Sequence, residues 1–142
     1  MRVVIDTNVI LDVLQRRKGF FDESYAVLKL AAEDNVEALT PAGSIADAYY
    51  IIRKSLKDPS AARDAIAALL QLVSACDTTA SDISAALTLA VADFEDAILA
   101  STAKHEKAEY IITRDEQDFR NSPVPAISPK GFLVLYQDQR GA

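Results

Sequence analysis

The 142-residue chain has one cysteine, one histidine and no apolar run that approaches a membrane span. A lone Cys76 cannot form an internal disulfide and suits a reducing compartment. Spanning a bilayer takes ~20 consecutive apolar residues, which the chain nowhere supplies. Neither terminus resembles a secretory signal, since Met1-Arg2 leads directly into a strand pattern. These absences predict a cytoplasmic chain with no membrane partner. His105 falls late in a helical stretch, away from the acidic motifs, and reads as a surface residue at a helix end rather than a catalytic base. No aromatic cluster is arranged for stacking on bases; Phe20-Phe21 and Tyr49-Tyr50 read as packing against the core or a partner surface. Positive charge is also scarce, with 15 Lys and Arg against 21 Asp and Glu and a net charge of -6. That balance repels phosphate backbones overall, although a local basic patch overcomes a wrong global sign. Arg16-Arg17-Lys18 is the best candidate for such a patch, with Arg53-Lys54 and Arg114 as further positions. Solvated charges at helix ends explain the same residues equally well.

What the chain has is an alternation of strand and helix patterns at single-domain length, so residues 1–142 are expected to form one domain. Strands are expected at 2–5, 36–40, 76–78, 110–113 and 126–128. Helices are expected at 8–16, 20–33, from Thr40-Pro41 to about 55, from Pro59, at 81–90 and at 94–106. Thr40 reads as an N-cap with Pro41 at the first helical position. Tyr25, Leu28 and Ala32 mark one helix face, and Ile66, Leu69, Leu70 and Val73 another. Residues 121–129, with three prolines, read as loop. Alternating elements of this kind imply a three-layer α/β/α fold with a central, mostly parallel sheet. Such sheets bind ligands in the crevice beyond the strand ends.

Acids recur at those ends. Asp6 follows the first strand, Asp115 and Asp118 follow the Tyr110–Thr113 strand, Asp93 and Asp96 begin a helix, and Asp47 lies in an apolar helix. The simplest purpose of such a cluster is to hold a divalent metal ion. Several of these acids have ordinary structural roles as well. Asp6 and Asp93 suit N-caps, Asp96 suits a first helical turn, and Asp115 and Asp118 suit turns. At i and i+3, Asp93 and Asp96 share a helix face. Asp47 fits no such role, because its neighbours Ile45, Ala48, Tyr49 and Ile52 leave little polar surface. It is therefore expected to be held inward, with Ser44 one turn away as a hydrogen-bond partner; projection into solvent is the alternative.

Four segments together resemble the PIN-domain family. They are Val-Ile-Asp-Thr-Asn-Val-Ile-Leu-Asp from Val4, Ser44-Ile45-Ala46-Asp47, Asp-Phe-Glu-Asp-Ala-Ile-Leu-Ala from Asp93, and Ile-Ile-Thr-Arg-Asp-Glu-Gln-Asp-Phe from Ile111. They occur in the family's order and cover most of the chain. The resemblance implies a PIN-like fold and a ribonuclease dependent on Mg²⁺ or Mn²⁺, with RNA as substrate. Many such chains are VapC-type toxins, which implies a small antitoxin partner and a homodimer. By motif, Asp6 and Asp96 correspond to direct metal ligands. Asp47 takes a position where the family usually has Glu, so it is either a direct ligand or a partner through water. Asp115 completes the catalytic set. Asp93, Asp118, Thr7, Asn8, Ser44 and Thr113 are expected to orient the carboxylates. The basic residues Arg16, Arg17, Lys18 and Arg114 are the expected substrate contacts.

Oxygen-only donors favour Mg²⁺ or Mn²⁺ over zinc, and this many acids leaves one or two ions open. Two other readings remain at this level. One is a catalytically weak PIN-fold module that binds RNA or protein, which the shorter acid at Asp47 permits. The other is a phosphatase with Asp6 as nucleophile, through a covalent aspartyl phosphate. The absence of a second Asp two residues on, where Asn8 stands, counts against it.

Overall fold

In the computed structural model, which describes residues 1–33 and 36–141, five strands and seven helices alternate along the chain. Strand β1 (Arg2–Ile5) leads into α1 (Thr7–Leu14) and α2 (Phe21–Glu33). Strand β2 (Glu37–Pro41) is followed by α3 (Ala42–Leu56) and α4 (Pro59–Leu69). Strand β3 (Ser74–Cys76) precedes α5 (Ala80–Ala86) and α6 (Phe94–His105). Strand β4 (Tyr110–Ile112), a 3-10 turn (Glu116–Phe119), β5 (Ala126–Ile127) and α7 (Pro129–Gly141) complete the order.

The sheet has strand order β3-β2-β1-β4-β5, and every pairing is parallel. Val3, Val4 and Ile5 of the central strand are wholly buried, as expected where a parallel sheet is covered on both faces. Side chains alternate across a strand, and the two cores follow that alternation. Val3 and Ile5 pack with residues of α1, α2, α3, α4 and α7, including Ile10, Leu28, Ile52, Leu69 and Phe132. Val4 faces the other way, against Leu99, Ala100 and Ala103 of α6 and Phe119 of the 3-10 turn. The result is the three-layer arrangement expected from the alternation. Among the described residues no helix is long and apolar enough to cross a membrane.

Several local expectations are corrected. Thr40 is not an N-cap: it is the fourth residue of β2 and fully buried, and Pro41 itself precedes α3 without a side-chain cap. Sheet pairing of Pro41 with Cys76 explains this, since the strand runs further than the Thr-Pro signal allows. On α2, Leu28 is buried with Ser24, Val27 and Ala31, whereas Tyr25 and Ala32 face outward. Leu70 is likewise exposed. Helix α5 is shorter than expected and starts at a capping box, in which Thr79 and Asp82 satisfy each other's backbone N–H.

The segment read as loop ends in α7, an element not expected from the sequence. Phe132 of α7 is 0% exposed and part of the main core. Phe132→Ala is therefore expected to cost about 3–5 kcal/mol, measured by urea unfolding. A loss below about 1 kcal/mol would mean that α7 is an appendage to the fold.

Candidate active site

The carboxyl ends of β1 and β4 are tied together. The backbone N–H of Asp6 donates to the Ile112 carbonyl at 2.9 Å. The Asp6 side chain caps α1, with Oδ1 accepting from the Thr7 N–H at 2.7 Å. Its other oxygen, Oδ2, accepts from Thr113 Oγ1 at 2.8 Å. Thr113, fully buried just past β4, uses the rest of its hydroxyl as an acceptor. It receives the Asp115 N–H at 3.0 Å and Asn8 Nδ2 at 3.4 Å. Asn8 spans the two loops, donating to Asp115 Oδ2 at 3.0 Å and accepting from the Arg114 N–H at 3.3 Å. Thr7, Asn8 and Thr113 thus fix the orientation of Asp6 and Asp115.

Across the crevice, Asp93 caps α6 by accepting the Asp96 N–H at 3.1 Å, which sets Asp96 in the first helical turn. Asp6, Thr7, Ser44, Asp47 and Asp96 line one cavity of about 310 Å³, together with Gly43 and Pro41 at the start of α3. Asp115 and Asp118 lie beside it, close enough to act on its charges. Burial, followed by the negative charges of Asp6, Asp93, Asp118 and Asp115, pushes the Asp96 carboxyl up to about 7. Asp6 is also raised, chiefly by burial, while its bonds from Thr113 and Thr7 pull it back and Asp115 and Asp118 push it further up. A site that disfavours its own charges in this way gains most from a cation.

Asp47 corrects its expectation. It is exposed rather than held in a core, because Ala48 and Ile52 form the buried stripe of α3. It nevertheless borders the cavity that holds Asp6 and Asp96. Glu95 and Thr78 border it too; sequence reasoning passed over both, although each adjoins a segment already singled out.

A fully buried acid is Asp12 of α1, which is 0% exposed. Ser24 donates to its Oδ2 at 3.1 Å, Arg114 Nε pairs with the same oxygen at 3.0 Å, and Arg17 approaches Oδ1 at 3.8 Å. Burial lifts the Asp12 carboxyl above its ordinary range, with Arg114, Ser24 and Arg17 pulling it part of the way back. The Arg114 guanidinium also lies 4.0 Å over the ring of Phe20. Arg17 and Arg114, expected as substrate contacts, are thus engaged with a buried acid. Arg16 lies over the Phe21 ring at 5.4 Å, and Lys18 is exposed. His105, half exposed at the end of α6, has Nδ1 3.3 Å from Asp82 and stands apart from the cavity residues.

The carboxylates around the cavity offer hard oxygen donors, which suit Mg²⁺ or Mn²⁺. Among the described residues no three Asp, Glu, His or Cys side chains converge into a ready-made metal cage. Two carboxylates are enough for Mg²⁺, which keeps several waters and is commonly held by one or two acids plus substrate phosphates. Asp6 and Asp96 fit that role, with Asp96 already responding to the charge of Asp6.

Residues 2–117 match the family model for the PIN domain. Comparison with curated proteins finds no match. The fold is similar to that of VapBC2 from Rickettsia felis, solved bound to a DNA fragment from its promoter, at 20% identity and TM-score 0.71, covering 90% of this chain and 98% of that one. It is also similar to FitAcB from Neisseria gonorrhoeae, at 21% identity and TM-score 0.70, with coverage of 90% and 98%. VapC20 of Mycobacterium tuberculosis, described as a sarcin-ricin loop cleaving toxin, aligns at 16% identity and TM-score 0.60, over 77% of this chain and 86% of that one. With the family model spanning most of its length and the same α/β architecture in these structures, the chain belongs to the PIN-domain family.

Proposed function

We propose that this protein is a metal-dependent endoribonuclease that hydrolyses RNA phosphodiester bonds, acting as the toxin of a toxin–antitoxin pair. The observation that carries this reading is the cavity in which Asp6 and Asp96 meet at the strand ends, each carboxyl raised above its ordinary range. Membership of the PIN family supports nuclease chemistry, and the VapBC and FitAcB likenesses support an antitoxin partner. Ile83 on α5 and Leu87 at its C-cap are exposed apolar residues that support a protein partner or a second copy of the chain.

In this reading Asp6 and Asp96 hold one Mg²⁺ or Mn²⁺ ion. When bound, such an ion lowers the pKa of its water and stabilises the charge that develops on the phosphate. Thr113 and the Thr7 N–H keep both oxygens of Asp6 in fixed directions, so little reorganisation is needed when substrate arrives. Asp47, exposed at the rim, acts through water rather than as a buried ligand. Asp115 is held by Asn8 and adds negative charge beside the pair. No side chain is required as a nucleophile.

The test is cleavage of a mixed RNA pool with Mn²⁺ or Mg²⁺ by wild type, Asp6→Asn and Asp96→Asn. Either substitution is expected to lower the metal-dependent rate at least 100-fold. Cleavage persisting in both variants would sink the assignment.

A further inference from the structure

The outer face of α3 carries a second constellation that begins at the rim of the carboxylate cavity. Asp47, Tyr50, Ile51 and Lys54 recur at three- and four-residue spacing and so lie along one side of the helix. At one end of that stripe Asp47 borders the carboxylate cavity. At the other end Tyr50, Arg53, Lys54, Lys57 and Pro59 line a hollow of about 520 Å³. Lys57 closes the helix in the left-handed conformation, with φ of 56°, and its N–H donates to the Arg53 carbonyl at 2.9 Å. Tyr50 is 57% exposed, and Lys54 Nζ sits 4.5 Å above its ring. Among the described residues none of Arg53, Lys54 and Lys57 is paired with a carboxylate. That is notable in a chain of net charge -6.

We propose that this face of α3 binds single-stranded RNA and leads it to the carboxylate cavity, a proposal that rests on the nuclease reading above. Cations without partners recruit backbone phosphates by releasing condensed counterions. An exposed aromatic face accepts a base of any identity, and the lysine above the ring adds a cation within reach of both base and phosphate. A helix's carbonyl end favours cations in its last turn, which accounts for the lysines. It does not account for an exposed tyrosine among them, nor for their alignment with Asp47. From Asp47 to Lys57 the helix rises about 15 Å, the span of a few nucleotides. The surface also supplies what Arg17 and Arg114 do not, since those two are engaged with Asp12.

The experiment measures binding without cleavage. A labelled, mixed-sequence single-stranded RNA 12-mer is titrated by fluorescence anisotropy against full-length Asp96→Asn protein. Three derivatives are compared with it: Tyr50→Ala; Arg53→Gln/Lys54→Gln/Lys57→Gln; and a charge-matched control, Lys29→Gln/Lys104→Gln/Lys130→Gln. The α3 triple is expected to lose at least tenfold in affinity, and its log–log salt slope to fall by about 2, at ~0.7 per phosphate contact. Tyr50→Ala is expected to lose about tenfold, as for one stacked base. A loss in the α3 triple no greater than the control's overturns the proposal. So does a polyglutamate peptide that binds as tightly as the RNA, which would mark an acidic protein surface as the partner. A changed oligomeric state accompanying the loss overturns it in favour of a contact between copies. If wild type fails to cut RNA while the α3 variants lose affinity, the nuclease reading falls and the RNA surface stands. Cleavage by wild type with unaltered binding in the variants gives the reverse.

Discussion

Asp96→Asn is expected to stabilise the metal-free protein at pH 8 while abolishing cleavage. The Asp96 carboxyl is pushed from 3.8 to about 7 by burial and by Asp6, Asp93, Asp118 and Asp115. Between those two values the folded protein keeps a proton that the unfolded chain has released. Stability therefore falls as pH rises from about 4 to 7, and the full penalty is present above 7. Below 3.8 both states hold the proton and the penalty vanishes. Asparagine keeps the shape and removes the charge. After discounting for solvent screening at a partly exposed site, the gain is on the order of 1–2 kcal/mol at pH 8, or a rise of about 5 °C in Tm. Thermal unfolding from pH 4 to 8 checks this: the two proteins converge at pH 4, and the variant is ahead at pH 8. Wild type equal to or above the variant at pH 8 would show that the cavity does not strain its acids.

Asp12→Ala is expected to cost about 3–5 kcal/mol, because it empties a buried position and takes the carboxylate from the half-buried Arg114 guanidinium. Asp12 is the anchor to which α1 attaches Arg114 and Arg17, and Ser24 brings α2 to the same carboxylate. The damage should extend to the site, since Arg114 lies between Thr113 and Asp115, which hold Asp6 and Asn8. The measurement is urea unfolding of Asp12→Ala, Arg114→Ala and the double variant. The double variant is expected to lose clearly less than the sum of the two single losses, since removing both partners removes the orphaned charge. Additive losses, or a loss under about 1 kcal/mol for Asp12→Ala, would reduce the pair to a surface contact.

The contrast between Asp12 and Asp47 shows where the sequence stopped being legible. Both are aspartates in apolar helical stretches, and a buried carboxylate needs a partner. The structure exposes Asp47 and encloses Asp12. Which helix face turns inward depends on tertiary packing. On α3 the Ala48–Ile52 stripe is buried and Tyr49 packs beside it, whereas Asp47, one step the other way around the helix, faces solvent. The same ambiguity placed Tyr25 and Ala32 on the wrong side of α2. Strands were easier to read, because Val3-Val4-Ile5 and Ile111-Ile112 are apolar on both faces and need no choice of side. The places of Asp6, Asp115 and Asp96 in the fold are readable from sequence, because they follow β1 and β4 and fall in the first turn of α6. Helix α7 is hidden in the sequence because the prolines at 123, 125 and 129 dominate the local pattern, and its role rests on packing against α2 and on Phe132 joining the main core, both distant in sequence. Arg114 read as free charge because its partner lies far away in sequence.

Calorimetric titration of Mn²⁺ tests most directly whether Asp6 and Asp96 hold a divalent ion together. The wild type and Asp6→Asn, Asp96→Asn and Asp115→Asn variants would be titrated at pH 6 and pH 8. One ion per chain is expected in the wild type, with a proton released on binding at pH 6, where Asp96 is largely protonated, and almost none at pH 8. Affinity should fall at least tenfold in Asp6→Asn and Asp96→Asn and less in Asp115→Asn. Wild-type affinity in both Asp6→Asn and Asp96→Asn would contradict joint binding.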